Sequence, residues 1–180
     1  MYCSGTALLD PYRVLLQTDI RSGHRVADFG SGKTGHFTFP LAVAVGEEGR
    51  VYAIDIKKEH LGMIEGTRRT HALHHIEPVW ADIEDTTGLP AESVDVVFIV
   101  DMLRVLQNLK HAIKEARRIL VPRGKIVVID WSPRANHPVA PPLNARFHPR
   151  DVDLVFLQCG CAVMGNLSPS AWHWGRVYRA

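Results

Sequence analysis

The chain has 180 residues, of which 46% are apolar and 22% charged, and its formal net charge is +2. That length buries one core and is short for two, so a single domain over 1–180 is expected and the composition argues against disorder. The small positive surplus forms no basic face, so no nucleic-acid partner is expected, and the longest apolar run, "VVFIV" at 96–100, is far too short to span a bilayer.

The opening "MYCSGTALLD" lacks the basic region and long apolar stretch of a signal peptide. Cys3, Cys159 and Cys161 form an odd set that is not a disulfide framework, so a reducing, cytoplasmic location is expected. Within 1–24, Asp10 can cap and Pro11 can open a helix, "PYRVLLQTDI", with Tyr12, Leu15 and Leu16 on one face. Five apolar runs follow, "RVADF", "RVYAID", "EPVWAD", "VDVVFIV" and "KIVVID", separated by helix-length segments. That alternation implies parallel βαβ units, and continuous rather than alternating apolar runs imply a sheet covered on both faces. Before the fifth run, "NLKHAIKEARRIL" places Leu109, Ala112, Ile113, Ala116 and Leu120 in helical register, and "VPRG" at 121–124 reads as the turn into the strand. The Pro-rich segment 131–147 is expected to be an irregular loop and a candidate lid. A last helix, "RDVDLVFLQCG", leads into two short strands near "CAVMGNL" and "AWHWGRVYR".

The stretch "ADFGSGKTGHFTFPLA" at 27–42 admits two readings. Residues 27–34 read A-x-x-x-x-G-K-T, one residue from a P-loop, and "VVFIVD" imitates a strand ending in a magnesium-binding Asp. In a P-loop the helix starts at the Gly-Lys, which puts Gly35 and Pro40 inside it at a cost of about 1 and about 3 kcal/mol. A turn running on to Gly35, with the helix starting near His36 or Phe37, leaves Pro40 in the first turn, where its missing N–H matters least. Asp55, at the tip of the second strand, suits a ribose diol, and Asp82, after the third, suits the exocyclic amine of a base. With Asp28 these acids would repel a triphosphate, so the pattern favours a nucleoside without phosphates. A nicotinamide site, G-x-G-x-x-G, is matched by Gly30, Gly32 and Gly35 but not by the rest of the chain.

Several features have bland readings. Asp101 and Arg104, three apart at an expected helix start, suit a salt bridge or a dipole partner as well as chemistry. His71 and His75 have metal spacing without an acid or Cys to complete a set, so no metal is expected. Cys159 and Cys161 flank Gly160, an expected helix stop, and read as core residues. The arginines at 68–69 and 117–118 read as solvated faces.

Taken in order, "VADFGSGKTGHFTFPLA", "GRVYAIDIKKEHL", "VWADIED", "LPAESVDVVFIVDMLRVLQN", "AIKEARRILVPRGKIVVIDW" and "PPLNARFHPRDVDLVFLQCG" resemble the class I S-adenosylmethionine-dependent methyltransferases. The resemblance is strongest to the small ubiquinone/menaquinone-biosynthesis-like, type 11 branch. It implies a Rossmann-like, three-layer αβα sandwich around a doubly wound seven-stranded sheet of order 3-2-1-4-5-7-6, with strand 7 antiparallel. It implies that Gly30, Ser31, Gly32 and Gly35 let the backbone approach the methionine moiety of S-adenosylmethionine, and that Asp28 positions that turn or the amino group. Asp55 would hold the ribose hydroxyls, Ile56 the adenine face, and Asp82 with Ile83 the adenine edge, while Asp101 would line the junction of cofactor and substrate. A small-molecule methyl acceptor is implied, no catalytic base is assigned, and the oligomeric state, homodimer included, is left open. This turn departs from the family's D-x-G-x-G-x-G, because Lys33 and Thr34 stand between Gly32 and Gly35. It must bulge there.

Overall fold

A computed structural model describes residues 8–180; Cys3 and the first residues of the 1–24 segment lie outside the described residues. The strands are β1 (Arg25–Phe29), β2 (Arg50–Asp55), β3 (Ile76–Trp80), β4 (Val94–Val100), β5 (Leu120–Trp131), β6 (Ala162–Leu167) and β7 (His173–Arg179). The helices are α1 (Pro11–Leu15), α2 (Thr38–Val45), α3 (Lys58–Thr70), α4 (Leu109–Ile119) and α5 (Pro149–Gln158). The sheet order is β3-β2-β1-β4-β5-β7-β6, with β7 antiparallel to both neighbours and the other pairings parallel. This is the seven-stranded, doubly wound α/β architecture that the family resemblance implies.

The central strands β1 and β4 are covered on both faces, which is why they read as unbroken apolar runs. Along β4, Val97 and Ile99 pack with Ala112, Ile113 and Ala116 of α4 and Phe156 of α5, while Val96 and Phe98 pack with Leu41 and Val45 of α2 and Ile64 of α3. Each such fully buried side chain contributes about 1.5–3 kcal/mol.

Two expectations are corrected. Asp10 does cap α1, its Oδ1 accepting from the Tyr12 N–H at 3.0 Å, but the helix stops at Leu15 rather than running to 20. Pro11, Val14 and Leu15 are its buried residues, while Tyr12 and Leu16 are exposed. Gln17 leaves the helix to accept the Ser168 N–H at 2.8 Å, which favours ending it early. The "VPRG" segment is not a separate turn either. Leu120 already pairs with Val94, and the register then shifts to Val96 with Lys125, so 121–124 bulges out of β5. Arg123 takes a left-handed conformation there, with φ of 69°.

Candidate functional site

A cleft of about 520 Å³ opens at the carboxyl edge where the strand order reverses between β1 and β4, the position at which open α/β sheets receive ligands. Gly30, Gly32, Asp55, Ile56, Asp82, Ile83 and Asp101 all line it. Asp28, Ser31 and Gly35 do not line it: Asp28 and Ser31 are buried, and Gly35 lines a separate hollow with Tyr12 and His36. The P-loop geometry is absent: residues 32–37 form turns, and α2 begins at Thr38 after Phe37, with Pro40 in its first turn and Lys33 exposed.

Local forces explain the turn. The Gly30 and Ser31 N–H groups both donate to Ile54 O, at 2.9 and 3.0 Å, which ties the turn to β2. Gly30 has φ of 80°, and a methyl group on it would sit well inside contact distance of Met102 Sδ. Only glycine meets both conditions. The Lys33–Thr34 bulge closes at Gly35, with φ of 57°. Beneath it Asp28, buried, accepts the Thr38 hydroxyl at 2.6 Å, so its carboxyl fastens the turn to the first residue of α2. Burial, aided by the charge of Asp55 and opposed by the Thr38 hydrogen bond, pushes Asp28 up to about 6. The Ser31 hydroxyl is buried and lacks a hydrogen-bond partner.

Asp55 is engaged rather than free. Its Oδ2 accepts the Gly32 N–H at 2.9 Å and lies 3.0 Å from His60 Nδ1, and its Oδ1 accepts the Lys57 N–H at 2.9 Å. A carboxylate offers about four acceptor positions, so one is open while His60 stays in place. The second ribose bond must displace that imidazole. Asp82 is exposed, and its Oδ1 caps the Glu84 N–H at 2.8 Å. Glu84 accepts from Gln107 and Asn108 N–H groups, lashing the loop after β3 to the loop after β4. Ile56 is 59% exposed beside the cleft, an apolar surface without a protein partner on it.

The family model described as "Methyltransferase domain" matches residues 27–128, from β1 into β5. This chain belongs to the S-adenosylmethionine-dependent methyltransferases. It is 33% identical over 122 residues to a demethylmenaquinone methyltransferase of Staphylococcus saprophyticus, covering 67% of this chain and 50% of that one. It is 31% identical over 129 residues to a ubiquinone/menaquinone biosynthesis C-methyltransferase of Cronobacter sakazakii, covering 71% and 49%. The chain thus spans about half the length of the curated relatives it matches. A crystal structure of a SAM-dependent methyltransferase from Aquifex aeolicus is similar over 99% of this chain and 93% of its own, at 25% identity and a TM-score of 0.91. The [4+2]-cyclase SpnF shares the fold alone, at 14% identity and a TM-score of 0.80 over 94% of this chain and 79% of its own.

S-adenosylmethionine is the cofactor of this methyltransferase class, and the cleft's donors and acceptors fit it. The open Asp55 position and the bare Ile56 surface suit a ribose and an adenine face, and Gly30 leaves no side chain over the turn. Met102, which sequence reasoning missed, fills the space above Gly30. It is a flexible thioether that can yield to a ligand. His60 was missed too, because a lone His inside a helical pattern carries no motif.

At the other end of this methyltransferase cleft, the expected Asp101–Arg104 helix start does not exist. Residues 101–108 form turns, and α4 begins only at Leu109. Asp101 instead takes φ of 54° and turns its Oδ1 toward His173 Nε2, 3.6 Å away. Asp130, buried at the end of β5, accepts the Trp131 N–H at 2.7 Å and the Leu103 N–H at 3.1 Å. Burial, reinforced by Asp101, pushes Asp130 up to about 6.

Other residues stand apart from the site. His36 Nε2 lies 2.8 Å from Leu9 O and, with Tyr12, lines a different hollow. His71 caps the C-terminus of α3 while His75 lies beyond it, with its Nε2 at 3.0 Å from Ala42 O. Arg68 and Arg69 pair with Glu65, and Arg118 with Glu115; Arg69, Arg117 and Arg118 are exposed, as solvated faces require, and Arg68 is half-buried.

Proposed function

We propose that this chain is an S-adenosylmethionine-dependent methyltransferase that passes the methyl group to a small-molecule acceptor by in-line displacement. One observation carries the proposal: the glycine turn, Asp55 and Asp101 line one cleft at the switch point of a sheet whose β1-to-β5 segment matches the family. The names of the curated relatives support a small-molecule acceptor.

The bound cofactor supplies an activated methyl group on a sulfonium. Displacement from such a sulfur creates little new charge, so the chain's work is to align the acceptor, exclude water and take a proton where the acceptor carries one. In this proposal Gly30 and Gly32 admit the methionine end beside Met102, with Asp28, Ser31 and Gly35 supporting the turn from behind. Asp55 takes the ribose, and Ile56, Asp82 and Ile83 take the adenine. Asp101 faces the acceptor, and the 131–147 loop covers the entrance of a single domain working in the cytoplasm.

Among the described residues no helix is long and apolar enough to cross a membrane. Calorimetric titration with S-adenosylhomocysteine, with magnesium ATP and NAD as competitors, tests the proposal. Binding of the first alone is expected, with the Kd rising about 100-fold in Asp55→Ala, as befits loss of a charged hydrogen-bond acceptor. Binding of magnesium ATP alone, lost in Lys33→Ala, would overturn it.

A further inference from the structure

Among the described residues, three buried side-chain nitrogen or oxygen atoms lack a hydrogen-bond partner: Ser31 Oγ, Asp101 Oδ1 and His173 Nε2. Two of them face each other. Buried polar groups are nearly always paired, so an unpaired couple at the end of a ligand cleft asks for a chemical explanation.

The local structure holds this couple in place. The N–H of Asp101 donates to Ile129 O at 2.9 Å, fixing the residue at the β4 tip in a left-handed conformation, with φ of 54°, that non-glycine residues rarely adopt. Its side chain is 39% exposed, and it lines the cleft. His173, in contrast, has a fully buried side chain. Its Nδ1 lies 2.9 Å from Ser170 Oγ, which accepts the Trp172 N–H at 3.1 Å. With that lone pair taken, the hydroxyl is free to donate its proton to Nδ1. A neutral His173 then carries its hydrogen on Nε2, pointed at Asp101. Trp131 packs on the imidazole, with ring centroids 4.4 Å apart.

We infer that Asp101 is the general base for a neutral hydroxyl acceptor, and that His173 is the positioning residue that steadies its carboxylate from behind. The inference rests on the methyltransferase reading above. The charge around the cleft selects the acceptor class. Asp55, Asp82, Glu84 and Asp101 face it against Lys57, Arg104 and His60, and Asp130 stands behind Asp101. Such a wall disfavours an acceptor that arrives as an anion, such as a thiolate or carboxylate, and it holds an amine protonated, which removes the lone pair that must attack. A neutral hydroxyl meets neither obstacle, and it needs a base.

In the transfer, the hydroxyl proton passes to the Asp101 carboxylate as the oxygen–carbon bond forms and the carbon–sulfur bond breaks, its electron pair remaining on the thioether sulfur. The proton then leaves to solvent. The 3.6 Å separation of the pair is the looseness expected of a catalytic contact before its substrate binds. The raised value of Asp130 agrees with a site where two carboxyls crowd one imidazole.

The test uses the whole chain saturated with S-adenosylhomocysteine and 4-nitrocatechol as the probe, its ionisation followed by absorbance. A carboxylate hydrogen-bonded to the probe raises the probe's midpoint pH, so wild type is expected to bind the protonated form with a midpoint at a proton concentration at least about tenfold lower than in solution. Asp101→Asn is expected to abolish that shift, and His173→Gln to reduce it, with S-adenosylhomocysteine affinity unchanged in His173→Gln. With S-adenosylmethionine present, O-methylation of the probe should fall about 100-fold in Asp101→Asn, and the acid limb of the rate profile should move in His173→Gln. An unshifted midpoint in wild type, an unaltered one in Asp101→Asn, no probe binding, or a C-methylated product would overturn the inference. Failure of S-adenosylhomocysteine to bind would instead overturn the methyltransferase reading itself.

Discussion

The two halves of the carboxyl edge are finished to different degrees. Around β1, β2 and β3, Asp28, Asp55 and Asp82 each have hydrogen-bond partners from the chain itself. Around β4, β5 and β7, Asp101 Oδ1 and His173 Nε2 are buried without a hydrogen bond, whereas the first half's one such side-chain atom among the described residues is the uncharged Ser31 hydroxyl. Satisfied carboxylates hold a turn in shape before any ligand arrives, whereas unsatisfied ones keep free energy in reserve for a partner. In the proposed function, the difference separates a half that holds the cofactor from a half that reacts.

The largest expected effect lies in the holding half. Gly30→Ala adds a strained left-handed residue and an overlap with Met102, which together should cost about 3 kcal/mol by urea denaturation. Adding Met102→Ala should recover the overlap but not the backbone strain. Full recovery would mean that the turn is held by packing alone.

A slightly smaller effect is a pH dependence. Asp28 titrates near 6 when folded, above the ordinary value of about 3.9. The folded state therefore binds more protons between those values, so this group's contribution is present below about pH 4 and is lost as pH rises to about 6. The difference in unfolding free energy between wild type and Asp28→Asn should fall over that window by at most about 2–3 kcal/mol. A flat difference would show that Asp28 is ionised in the fold throughout.

The smallest effect concerns the 131–147 loop. Arg146 Nε donates to Pro141 O at 2.7 Å, and its Nη1 to Ala135 O at 2.6 Å, so a segment with little regular structure is tied to itself. Arg146→Ala should cost about 1 kcal/mol and speed proteolysis inside the loop. Unchanged proteolysis would mean that the loop's prolines hold it without the arginine.

Sequence periodicity carried the strands and the order of units, because burial on both faces leaves an apolar run that nothing local can disguise. The start of α2 was legible because Pro40 penalises every earlier start. The bulge at 121–124 was hidden, since "VPRG" is ordinary turn chemistry and only pairing with β4 reveals that Leu120 has already joined the sheet. In the cleft, the glycines and strand-tip acids could be found from spacing. His60 and His173 could not, since the first sits inside a helix and the second lies far along the chain in "AWHW". A signal for His173 did exist. A seventh strand running antiparallel must begin, rather than end, at the carboxyl edge.

That strand also sets an order of assembly. β6 is paired only with β7, and β7 fills the gap between β5 and β6, so the outer side of β5 stays open until the most distant strand in sequence arrives. Contacts of such long range form late in folding. A partly folded chain can therefore build its glycine turn and Asp55 while Asp101 still has no imidazole behind it, so the two ends of the cleft are completed at different stages of assembly.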